Sequence, residues 1–76
     1  MSNSKANLIR GLHGVFNANY VESITVMDKG VGVINSQGQM IHWVKETDED
    51  KAKLVADALT DAVMDGTPVN WEALGY

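Results

Sequence analysis

The chain has 76 residues, ten acids against six bases, a net charge of −4 and no cysteine. That length fits one domain (residues 1–76) with a single core, and a chain so short buries only ~60% of its unfolded surface, which leaves a slim margin of stability. The missing cysteines exclude disulfides and thiol chemistry, and the negative charge with only scattered bases argues against direct contact with nucleic acid or an anionic membrane.

Near the start, Leu8, Ile9, Leu12, Val15 and Phe16 recur at three- and four-residue spacing and predict a helix from about Ser4 to Phe16, weakened by Gly11 and Gly14. Met1 to Asn7 carries no apolar run of signal-peptide length, so the expected location is cytoplasmic. Asn17-Ala18-Asn19 reads as a stop and turn.

From Tyr20 the period changes to alternation, and three strands fit: Tyr20 to Met27, Val31 to Asn35 and Gln39 to Lys45. Asp28-Lys29-Gly30 and Ser36-Gln37-Gly38 are too short for a crossover, so the pairing should be an antiparallel meander with the glycines in left-handed conformations. Gly32, inside a strand, marks a bulge or a close backbone approach. Ile24 and Val26 point to the core side of the first strand. In the third strand Met40, His42 and Val44 compete with Ile41 and Trp43. A second, open face carrying Met27, Met40, His42 and Val44 beside Val21 and Thr25, or an unpaired edge strand, is the expected route to a homodimer.

Thr47-Asp48-Glu49-Asp50 then reads as a helix start, with Thr47 as cap and the acids at the positive end of the dipole. Leu54, Val55, Ala58, Leu59, Ala62 and Val63 form the apolar stripe, Gly66 ends the helix in a left-handed cap, and Thr67-Pro68 prevents continuation. A final turn capped by Asn70 should carry Trp71 and Leu74 back onto the core. The expected architecture is a two-layer α+β domain, α-β-β-β-α, in which two helices cover one face of the meander. Double-stranded RNA-binding domains share that order. Their second helix opens with a basic cluster, however, and here Thr-Asp-Glu-Asp-Lys-Ala-Lys has the opposite sign.

Residues 46 to 72 hold eight acids against two lysines, a local charge of −6, while the remainder is slightly positive. On the long helix Asp57, Asp61 and Asp65 stand at i, i+4 and i+8, preceded by Asp50 and Lys53. Like charges at that spacing disfavour an isolated helix, so the column points either to a solubilising face or to a contact for a basic surface. Three aspartates on a rigid helix converge poorly on calcium, and two histidines, His13 and His42, lack a third ligand, so neither metal nor cofactor is expected. No nucleophile–base set is recognisable, which predicts a non-catalytic protein. The sequence therefore predicts a binding module that sets Glu49, Asp50, Asp57, Asp61 and Asp65 on a basic, nucleic-acid-binding surface of a larger protein, as small phage or mobile-element inhibitors and adaptors do. The competing expectation is a homo-oligomer binding a small ligand or nucleotide between protomers through Tyr20, His42 and Trp43. A third is a structural subunit of a larger particle.

Overall fold

The computed structural model describes residues 7–76. In chain order it contains β1 (Leu8–Arg10), β2 (Val15–Asn17), a 3-10 turn at Ala18–Tyr20, β3 (Ser23–Met27), β4 (Gly30–Ile34), β5 (Met40–Lys45) and α1 (Glu49–Asp65). The class is α+β, with a two-stranded and a three-stranded antiparallel sheet.

One helix is present among the described residues, where two were expected. The predicted first helix, from its described part at Asn7 onward, is instead a hairpin; Ser4 to Ala6 lie outside the described residues. Leu8 faces Asn17, Ile9 faces Phe16 and Arg10 faces Val15. Ile9 and Phe16 are buried while Leu8 and Val15 are exposed, so each short strand alternates in and out. Gly11 is the constrained position of the turn. Gly11 N–H donates to Gly14 O at 2.6 Å across the turn, and the His42 ring lies so close to Gly11 that a side chain there has no room. Asn17 then caps the 3-10 turn by accepting from Asn19 N–H at 2.8 Å.

The meander forms as expected, in the order β3-β4-β5. Its cross-strand pairs assign the paired side chains to faces. Ile24 with Val33, Val26 with Val31, Val31 with Val44, and Val33 with His42 point to one side; Ser23, Thr25, Met27, Ile34, Met40, Trp43 and Lys45 point to the other. The bulge lies in β5, at Ile41 opposite the Val33/Ile34 step, and Gly32 pairs regularly. Gly38 has the expected left-handed φ of 80°, but Gly30 does not. Gly30 is needed for space, because a Cβ there would run into the Val44 carbonyl and the Trp43 ring.

The second layer consists of α1, the β1–β2 hairpin and the tail. Ala52, Val55, Leu59 and Ala62 of α1 pack with Val31, Val33 and Val44, and Ile9 and Phe16 complete the core. Leu54 was expected in the buried stripe, yet it is 58% exposed. One residue turns a helix by roughly 100°, so centring the buried stripe on Val55 and Leu59 swings Leu54 out to solvent. Asp48, rather than Thr47, is the N-cap: its carboxylate accepts from Asp50 N–H and Lys51 N–H. Gly66 closes the helix with φ 75° and donates to Ala62 O. Asn70 caps the final turn through Ala73 N–H, and Trp71 and Leu74 fold onto the core as predicted.

Candidate functional site

The outer face of α1 is one of three surfaces whose chemistry stands out. The cap at Asp48 and the acids Glu49 and Asp50 place negative charge where the helix dipole is positive, so the first turn is favourable for them. Beyond it the dipole offers no such compensation to Asp57, Asp61 and Asp65. All five predicted acidic residues, Glu49, Asp50, Asp57, Asp61 and Asp65, are exposed. Among the described residues the one ion pair joins Lys51 to Glu46 at 3.6 Å, and it leaves this column untouched. Asp57 and Asp65 lie ~12 Å apart along the axis, with Asp61 between them.

Two apolar side chains interrupt the acids: one, Leu54, the sequence pattern had placed in the buried stripe, and the other, Met64, it had not singled out. Leu54, three residues before Asp57, is turned outward with the column, and Met64, three residues after Asp61, is 77% exposed. Together they make the face anionic with two apolar knobs. Among the described residues no group of three His, Cys, Asp or Glu side chains could hold a metal ion.

The structure does not bring Tyr20, His42 and Trp43 together. Tyr20 is exposed on the 3-10 turn, beside a shallow depression that Glu22, Asn35 and Ile41 also line. His42 points inward: its Nε2 accepts from Leu12 N–H at 3.1 Å, and its ring stacks on Phe16 with centroids 5.3 Å apart. Burial, and secondarily the nearby His13, lower the His42 pKa below its usual value. Trp43, the next residue, leaves the opposite side of the sheet and lies across Gly30.

That opposite side is the second surface. Met27, Ile34, Met40 and Trp43 share it with Ser23, Thr25 and Lys45, so His42 and Val44, expected here, are replaced by Ile34 and Trp43. Gly32 forms its floor, with the methyl tips of Met40 and Met27 leaning over it at 3.1 and 3.2 Å from where a Cβ would stand.

No family model, curated protein or solved structure matches this chain. Its surfaces must therefore be judged on their own chemistry.

The third surface is a clasp at the tail. Tyr76 Oη donates to Glu46 Oε1 at 2.5 Å, and Lys51 Nζ sits 4.4 Å from the Tyr76 ring centroid while pairing with Glu46. Trp71 meets Tyr76 edge-on at 5.8 Å and donates its Nε1–H to Arg10 O at 3.0 Å. Partial burial, followed by the bond to the Glu46 carboxylate, pushes the Tyr76 pKa up to about 12. The same hydrogen bond, helped by Asp48 N–H and Lys51, lowers that of Glu46. Each group is held by the others, so the clasp fastens the tail to the start of α1. Among the described residues no helix is long and apolar enough to cross a membrane.

Proposed function

We propose that this chain is a non-catalytic binding module whose outer helix face occupies a basic surface of a larger protein. The observation that carries the reading is the exposure of Asp50, Asp57, Asp61 and Asp65 in one column, with no ion pair to a lysine among the described residues. With only Lys53 beside it, the column stays net negative in water and steers association with a cationic patch. Leu54 and Met64, standing among the aspartates, favour a folded protein over a bare cation or polyamine, because apolar knobs contribute only where a partner desolvates them. A groove that otherwise holds nucleic acid suits such an occupant, since its cations are spaced to meet a line of negative charges. The role is then that of an inhibitor or adaptor of the type encoded by phages and mobile elements.

The test is affinity capture from the native host with the tagged chain and with a variant carrying Asp57→Lys, Asp61→Lys and Asp65→Lys. Circular dichroism confirms that both are folded. A host protein retained by the first, lost by the second and released by salt supports the reading. An identical set of retained proteins would remove it.

A further inference from the structure

The order β3-β4-β5 leaves two sheet edges unpaired among the described residues, and they are not alike. The β5 edge is interrupted by the bulge at Ile41 and ends in Lys45, both of which discourage another strand from pairing there. β3 has no bulge, and its nearest charges, Glu22 and Asp28, lie just outside the paired residues. Its five residues, Ser23-Ile24-Thr25-Val26-Met27, contain no charge, proline or glycine, they pair regularly with β4, and three of them are β-branched. Thr25 and Val26 are exposed, Val26 to 39%.

We infer that β3 pairs with the β3 of a second copy of this chain, antiparallel about a two-fold axis through Thr25. The strand is self-complementary in that register. Thr25 faces Thr25 of the other copy, Ile24 faces Val26 and Val26 faces Ile24 on the core side, and Ser23 faces Met27 on the open side. None of the five paired residues is charged; just beyond them Glu22 faces Asp28 of the other copy at each end, a like-charge contact that salt screens. The exposed flank of Val26 gains an aliphatic neighbour, and the paired threonines are a favourable cross-strand combination. Two three-stranded sheets then become one of six strands, and the open faces carrying Met27, Ile34, Met40 and Trp43 become continuous. Because α1 packs over β3 and β4, both acidic helices lie in the same layer on one side of the joined sheet.

Area sets the strength. Five paired residues and their flanks fall well short of the ~800 Å² per partner of a standard interface, so the dimer is weak and reversible. Salt sets its signature. Two helices of like charge repel across the dyad, so screening strengthens self-association, whereas it weakens docking of the acidic face on a basic partner. The doubled acidic surface rests on the proposed function, but the strand pairing does not.

The experiment is sedimentation velocity on the full chain from micromolar to millimolar concentration, at low and high salt, for the natural chain and for Thr25→Lys and Thr25→Val. Thr25 is exposed on the open face, so neither change disturbs the core, and circular dichroism verifies this. The natural chain should show a dimer fraction that rises with concentration and with salt. Thr25→Lys, which sets two lysines opposite each other at the dyad, should be monomeric at tenfold higher concentration, and Thr25→Val should dimerise at least as well as the natural chain. A natural chain that stays monomeric at millimolar concentration, or a dimer indifferent to Thr25→Lys, overturns the inference. A monomeric chain that loses a captured host protein through Thr25→Lys would assign the edge to a foreign strand and overturn it equally. Loss of dimerisation with retained, charge-dependent capture would remove this inference and leave the proposed function standing.

Discussion

Replacing His42 with phenylalanine isolates one hydrogen bond that holds the hairpin against the sheet. Phenylalanine keeps an aromatic ring against Phe16 and fills similar space, but it has no acceptor for Leu12 N–H, now satisfied at 3.1 Å. An amide left unpaired in a buried site costs ~1–3 kcal/mol, and because this one is only partly buried the lower end applies, ~1 kcal/mol. His42→Ala also forfeits the aromatic pair, worth a further ~0.5–1.5 kcal/mol, and leaves a gap beside Gly11. Urea denaturation should therefore rank the chains natural, His42→Phe, His42→Ala in falling stability. The same bond carries a pH signature. Nε2 accepts only when unprotonated, and burial with the nearby His13 holds the folded-state pKa of His42 below its ordinary value of ~6.5. The unfolded chain then binds the proton more readily. The contribution is complete above the unfolded pKa and is lost as pH falls from there through the folded pKa. His42→Phe should flatten the stability curve over that window and leave it unchanged at higher pH apart from the constant loss of the bond. A phenylalanine variant within ~0.3 kcal/mol of the natural chain, or one keeping the full pH slope, would refute the geometry.

Two further comparisons test the packing. Gly30→Ala should cost ~1–3 kcal/mol, because its methyl meets the rigid Val44 carbonyl, whereas Gly32→Ala meets only flexible methionine tips and should gain ~0.4–1 kcal/mol from a stiffer unfolded chain; thermal melts distinguish the two. Leu59→Ala should lose ~2–5 kcal/mol and Leu54→Ala less than ~0.5 kcal/mol in urea titrations, and equal losses would mean that α1 is rotated from the orientation described.

Elements with a sustained period were legible in the residues. β3 to β5 alternate over five or six positions with glycine-bearing turns between them, and α1 repeats its apolar face over 17 residues, so one pattern outweighs its rivals. The β1–β2 hairpin was not legible. Its strands have three residues each, too few for alternation to show, and a register pairing Ile9 with Phe16 gives the same spacing as a helical face. Gly11 and Gly14 were the available signal, and they mark a turn. His42 and Trp43 were ambiguous because both faces of β5 are partly apolar; the Leu12 amide that turns His42 inward lies 30 residues away in sequence. The acidic residues of α1 could be placed on one face by spacing alone. The emergence of Leu54 among them depends on how the helix rolls against Val31 and Val33, which no local pattern encodes.

The bond from Trp71 to the Arg10 carbonyl spans 61 positions, and it bears on the order in which the molecule assembles. Contacts of such separation close the longest loops and form late. The meander and helix, whose pairings are local, should organise first, with the hairpin secured only when residue 71 arrives. Shortening the tail should thus release the opposite end of the molecule, with amide protons around Ile9 and Phe16 exchanging sooner than those of the meander.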